Sequence, residues 1–223
     1  MKIVAVVGTS GSGKTRLITG LVAELKRRGL RTCVLKHCAH GFALDTPGKD
    51  TWAYAEAGAD GAAMSGPGEW AVRMKIPPAP EQDLRGLARR LFADAEVVLV
   101  EGGKTERFKK IEVRRAGLSG AILTAADELL AVVSDEAVPV RVSVPVLEPT
   151  DTAAICDLIL SRGEDIMSEI TLEVDGREVN MNPFVRTIFE NTIRGMVGSL
   201  SGLSPDPETI SIVIRKGEPR KDA

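Results

Sequence analysis

The sequence predicts an α/β protein, a doubly wound, mostly parallel sheet that carries a small ββαβ (α+β) module toward its C-terminal end. Three features point there. The chain opens on a short β-branched apolar run, KIVAVV at 2–7, which passes through a glycine-rich turn into a helical pattern, as a strand buried on both faces and followed by a crossover helix does. Further apolar runs then alternate with helical stretches, the arrangement that parallel strands joined by helices require. After residue 163 the pattern shortens and changes character.

The elements follow in order. Behind GTSGSGKT, Leu17, Ile18, Leu21, Val22 and Leu25 share roughly one helix face, and KRRG brings cations and then Gly29 to the helix end, where they suit its negative pole and stop it. RTCVLK is the second strand, and LKHCAHGFALDTPGKD leaves it as a loop. DTWAYAEAGA is a short helix that begins near Asp50 and fails at Gly58. DGAAMS and EWAVRMK are two short strands split by the turn GPG. IPPAPEQD is extended and leads into a helix from about Glu81 to Phe92. EVVLVEGG, KKIEVRR and LLAVVSD are buried strands, and Thr150 or Asp151 caps the helix TAAICDLILSRG. Residues 1–163 form one nucleotide-binding domain on this reading, and 168–223 a separate module. In the module EITLEV and REVNM form a hairpin through Asp175-Gly176. Asn182 and Pro183 start a helix whose Phe184, Ile188, Phe189, Met196, Val197 and Leu200 form a buried face, and TISIVI is a last strand. A unit of this size needs docking or dimerisation for stability.

Composition narrows the function classes. Formal net charge is −2, with 29 basic against 31 acidic residues in 223, so no global field draws the chain to nucleic acid or to a membrane surface. Aromatics make up 4%, too few for a base-stacking platform. Three scattered cysteines make no disulfide framework and fit a reducing compartment. No apolar run has the length of a membrane span or a signal segment. A cytoplasmic protein is expected.

The strongest chemical signal is GTSGSGKT. Gly8, Gly13, Lys14 and Thr15 match G-x-x-x-x-G-K-[ST] with a strand before and a helix after, the context that a phosphate-binding loop (P-loop) needs. Glycines let the amides of Gly8, Thr9, Ser10, Gly11, Ser12 and Gly13 converge on phosphate oxygens at the positive helix end. Lys14 then reaches the outer phosphates and the Thr15 hydroxyl ligates Mg²⁺. Glu101 closes the buried run EVVLVEGG at the ligand-binding edge of the sheet, where it either holds Mg²⁺ through a water or orients an attacking water. Lys14 and Glu101 are thus the candidate catalytic pair, and Thr15 and Glu101 the candidate metal ligands. Lys104, three residues past Glu101, reaches the same crevice. Asn-Lys-x-Asp, a guanine-reading sequence, does not occur; Ser134-Asp135 after LLAVV stands nearest by position.

The loop at 35–50 holds both histidines, His37 and His40, with Cys38, Asp45, Lys49 and Asp50. As a zinc site it lacks a fourth ligand at normal spacing. As a plain polar loop, Asp45 caps the TPG turn and Asp50 the next helix. Its place at the carboxyl end of the second strand sets it beside the phosphate loop.

GTSGSGKT, LKHCAH, DTPGKDTWAYAEAGA, VVLVEGGK, KIEVRR and LLAVVSD together resemble the MobB family, the molybdopterin-guanine dinucleotide biosynthesis protein B proteins, over about residues 1–163. The resemblance implies a homodimeric GTP-binding protein with weak Mg²⁺-dependent GTPase activity. Its expected partner is the guanylyltransferase that joins GMP to molybdopterin, and molybdoenzyme chaperones are further candidates. Gly11 to Thr15 would bind GTP and Mg²⁺, His37, His40, Asp45, Lys49 and Asp50 would line the neighbouring crevice, and molybdopterin or the molybdenum cofactor is a candidate ligand. Two departures stand out: Gly103 replaces the family's aromatic in Glu-Gly-Phe-Lys, which should loosen that turn, and Thr51 replaces a more usual serine. The alternatives are a P-loop small-molecule kinase with Asp45 or Asp50 as base, and a metal-inserting GTPase that uses Cys38, His37 and His40.

Overall fold

The structure is a computed structural model, and it describes residues 1–39, 41–42, 45–75, 83–118, 120–136, 138, 142–165, 170, 172–200, 202 and 210–214. The chain divides into a large unit, Lys2–Asp165, and a small one that holds Ile166–Ala223.

In the large unit, β1 (Lys2–Val7), β2 (Thr32–Lys36), β5 (Val97–Glu101), β6 (Lys110–Arg114), β7 (Leu129–Ser134) and β8 (Val146–Leu147) lie side by side in the order β2-β5-β1-β6-β7-β8. All five of these ladders are parallel. β9 (Glu164–Asp165) adds to β1 antiparallel at Lys2 and Ile3, while β6 begins pairing with β1 only at Ala5. β8 and β9 are two-residue strands, too short to show as a period in the sequence.

One face of the sheet packs under α1 (Lys14–Arg27) and α4 (Thr152–Arg162), with Val4, Val6, Val97, Leu99, Ile111 and Val113 against Leu17, Leu21, Leu25, Ile155 and Ile159. On the other face Leu84 of α3 (Leu84–Leu91) lies beside Gly103 and Val100. Asp83 caps α3 by accepting from the Gly86 amide at 2.9 Å. This helix starts at Leu84; residues 81–82 of the expected start, and 76–80 before them, lie outside the described residues.

β6 alternates as KKIEVRR predicts, but its polar side is buried too: Lys110, Glu112 and Arg114 are each no more than 2% exposed. The β6–β7 connection satisfies them. Glu112 accepts from the amides of Leu123 and Thr124, Arg114 donates to the Gly120 carbonyl, and Lys110 bonds Glu128 and the Glu106 carbonyl. Buried charges persist only when paired in this way.

α2 (Asp50–Glu56) precedes an antiparallel hairpin of β3 (Gly61–Gly66) and β4 (Glu69–Met74). Met64, Trp70, Val72 and Met74 of this hairpin are exposed.

In the small unit β10 (Leu172–Val174) and β11 (Arg177–Val179) form the expected hairpin, with positive φ at both Asp175 and Gly176, as a type I′ turn needs. Asn182 caps α5 (Pro183–Gly198) by accepting from the Val185 amide at 3.0 Å. Two expectations are corrected. Phe184, Ile188, Phe189, Met196 and Leu200 are exposed, not buried, since an amphipathic pattern states which side needs cover without supplying it. Residues 210–214 of the expected last strand carry no strand, and Ile212, Val213 and Ile214 are exposed; an alternating run becomes a strand only with a ladder partner.

Candidate functional site

The turn after β1 is shaped by glycines, with the Ser12 amide donating to the Thr9 carbonyl at 3.3 Å. Gly8 has φ +151°, and a side-chain carbon there would lie 2.4 Å from the Val113 carbonyl oxygen of β6. Gly13, at φ +96°, stands where α1 would be capped and offers no side-chain cap, and the first turn of α1 contains no acid. The helix thus supplies no acid of its own to its positive end, the end that favours anions. The buried hydroxyls of Thr9 and Ser12 have no hydrogen-bond partner among the described residues.

Lys14 folds back onto this loop, donating to the carbonyls of Thr9 at 2.7 Å and Gly8 at 3.3 Å. Burial lowers its pKa, the Glu101 carboxylate opposes that shift, and the charges of Lys104 and Lys36 add to it. A phosphate beside the ammonium would oppose that lowering.

Thr15, first turn of α1, donates its hydroxyl to Glu101, with oxygens 3.0 and 3.2 Å apart. β5 lies between β1 and β2, and the register sets Glu101 opposite Val6 on one side and Lys36 on the other. The Lys36 ammonium lies 3.2 Å from Glu101. The donors suit Mg²⁺: both are hard oxygens, and neighbouring ligands of an octahedral ion with bonds of about 2.0–2.1 Å stand roughly 3 Å apart. Two protein oxygens suffice for an ion that keeps waters and phosphate oxygens as its other ligands.

Of the expected residues, the structure brings Lys14, Thr15, Glu101 and Lys104 around the loop. His37 is half-buried and joins through its backbone, donating its amide to the Glu101 carbonyl at 2.9 Å. His40 lies outside the described residues. Asp45 accepts from the Thr46 amide at 2.9 Å, while Lys49 stands as the N-terminal cap of α2 and Asp50 as its first residue. Among the described residues no hydrogen bond or ion pair links Asp45, Lys49 or Asp50 to the phosphate loop, and no group of three His, Cys, Asp or Glu side chains is placed to hold a metal. Gly103 is buried at φ +70°, with Leu84 3.3 Å from where its side chain would begin; the turn is packed and not loosened.

Two neighbours escaped the sequence reading. Lys36 is one, since nothing in RTCVLK marks a strand-end lysine as a site residue. Arg115 is the other: it reaches the Gly11 carbonyl at 3.5 Å, and the next amide, Ala116, donates to Asp135 at 3.0 Å. Asp135 leads into an open cleft of about 680 Å³ lined by Ser134, Glu136, Leu147, Glu148 and Asp151.

A family model described as Molybdopterin guanine dinucleotide synthesis protein B (MobB) matches residues 3–135. The chain belongs to the MobB family. An Escherichia coli protein named molybdopterin-guanine dinucleotide biosynthesis adapter protein is 34% identical over 161 residues, 71% of this chain and 91% of its own length. Among solved structures, Bacillus subtilis MobB superposes with a TM-score of 0.56 at 25% identity, covering 74% of this chain and 99% of that one. A structure titled molybdopterin-guanine biosynthesis protein B superposes at 0.55 with 28% identity, covering 71% and 98%. The family match ends before α5 and the β10–β11 hairpin. No helix among the described residues is long and apolar enough to cross a membrane.

Proposed function

We propose that this chain is a GTP-binding adapter in molybdopterin guanine dinucleotide biosynthesis, with a slow, Mg²⁺-dependent GTPase activity that governs its engagement with the guanylyltransferase. Lys2–Asp165 is the nucleotide-binding domain on this reading. The observation that carries it is the placement of Lys14, Thr15 and Glu101 around an uncapped glycine loop in a chain of the MobB family.

The amides of residues 8–13 and the ammonium of Lys14 hold the phosphates. Thr15 and Glu101 would hold Mg²⁺, which would supply charge neutralisation at the outer phosphates. Glu101 also orients water, and Lys14 stabilises the charge of in-line attack. Lys104 and His37 border the phosphates. The acidic cleft beyond Arg115 suits guanine, whose ring N–H and amino group donate to acceptor-only carboxylates, better than adenine. The α2–β4 segment, with exposed apolar residues on a two-stranded hairpin that is marginal alone, supports a homodimer.

The test is binding of fluorescent GTP and ATP analogues with and without Mg²⁺, followed by capture of a molybdopterin guanylyltransferase by the GTP-bound, GDP-bound and empty protein. Expected are GTP binding lost in Lys14→Met and capture that depends on the bound nucleotide. Capture indifferent to nucleotide refutes the coupling, and absence of GTP binding refutes the nucleotide reading.

A further inference from the structure

Glu101 serves two groups at once. One is the Thr15 hydroxyl at 3.0 Å, the other the Lys36 ammonium at 3.2 Å. The carboxylate is mostly enclosed, at 12% side-chain exposure, while Lys36 is 61% exposed and free to turn. A divalent ion placed on Thr15 and Glu101 puts a second cation on the same carboxylate. Like charges so close repel, and the flexible partner is the one that moves.

The direction of that movement follows from the sheet. Thr15 and Glu101 lie on the β5–β2 side of the phosphate loop, so the metal-bound end of a phosphate chain faces that side. Arg115 and Leu118 close the opposite side, against Gly11. Lys36 is two strands from β1, roughly 10 Å in the plane of the sheet, on the side of the outermost phosphate. Its charge is already felt at Lys14.

We propose that Lys36 contacts the terminal phosphate of the bound nucleotide, held in reserve on Glu101 until the metal displaces it. The inference rests on the nucleotide reading above and deepens it. It makes Lys36 the residue by which the loop distinguishes a triphosphate from a diphosphate, and it gives the loop that leaves β2 a direct mechanical link to the state of the nucleotide. In the empty protein Glu101 thus engages Lys36, and in the diphosphate state the lysine has no terminal phosphate to hold.

The experiment compares the full chain with Lys36→Met and Lys36→Arg, using fluorescent GTP and GDP analogues in Mg²⁺ and in EDTA. In Mg²⁺, Lys36→Met should weaken triphosphate binding by about tenfold or more, the equivalent of one charge-assisted hydrogen bond. Diphosphate binding should not weaken, and Lys36→Arg should restore most of the loss. In EDTA the triphosphate preference of the wild type should shrink toward that of Lys36→Met. A second readout needs no nucleotide: Mn²⁺ followed by electron paramagnetic resonance should bind more tightly to Lys36→Met, whose competitor for Glu101 is gone. Equal loss of both nucleotides, or no loss of either, with unchanged Mn²⁺ affinity overturns the proposal while the nucleotide reading stands. A wild type that binds neither nucleotide overturns both.

Discussion

Substituting Gly8 by alanine tests whether the phosphate loop is held by the sheet or merely attached to it. An alanine carbon at this position would lie 2.4 Å from the Val113 carbonyl oxygen and 2.7 Å from the Ser12 hydroxyl, on backbone at φ +151°. The serine can turn away. The carbonyl cannot, because β6 pairs with β1 beside it, Val7 opposite Glu112. The backbone conformation costs on the order of 1–3 kcal/mol and the overpacking a similar amount, which together predict a loss of about 2–6 kcal/mol. Gly13→Ala is the control: its φ of +96° is equally unfavourable, but nothing lies within 4 Å of the added carbon. That variant should lose only the conformational part, about 1–3 kcal/mol. Urea unfolding followed by circular dichroism reads the difference, which at a slope of about 2 kcal/mol per molar separates the two midpoints by roughly 1 M. Coincident midpoints, or a Gly8→Ala loss below about 1 kcal/mol, would refute the close approach of β6 to the loop.

Two further outcomes follow. Glu112→Ala should cost about 3–5 kcal/mol, because it strands the Leu123 and Thr124 amides and leaves buried Arg114 without its carboxylate; hydrogen exchange at those two amides should accelerate, and unchanged exchange would sink the explanation. Glu24, hydrogen-bonded by Arg27 and Arg28, has its pKa drawn from 4.5 to about 2. A depressed carboxylate contributes stability above its unfolded pKa and loses it as pH falls through the folded value. Wild-type stability should therefore decline between pH values of about 4.5 and 2 more steeply than that of Glu24→Gln, and parallel acid-unfolding curves would count against the pairing.

Much of the fold is written locally. KIVAVV can only be a strand buried on both faces, GTSGSGKT demands a turn that glycine alone allows, and Asp175-Gly176 and Asn182-Pro183 specify a hairpin turn and a helix start from neighbouring residues alone. The gathering of Lys14, Thr15 and Glu101 at one sheet edge is legible too, two from a motif and one from its place at the end of an apolar run. Other features needed contacts distant in sequence. KKIEVRR reads as a strand, but nothing in it says what satisfies its charged side; that comes from the connection beyond it, which bonds Glu112 and Arg114. The apolar side of α5 reads as buried, yet exposure is a property of what lies against a helix.

Lys36 shows the division most plainly. Local pattern alone specifies that a glycine-rich G-x-x-x-x-G-K-T loop follows the first strand and that a lysine ends the second. Only the tertiary structure decided that β5, some sixty residues further on, inserts between them and brings Glu101 level with both. Strand order and register arise from hydrogen-bond ladders and packing between segments far apart in the chain, and local patterns carry no record of which strands those ladders join.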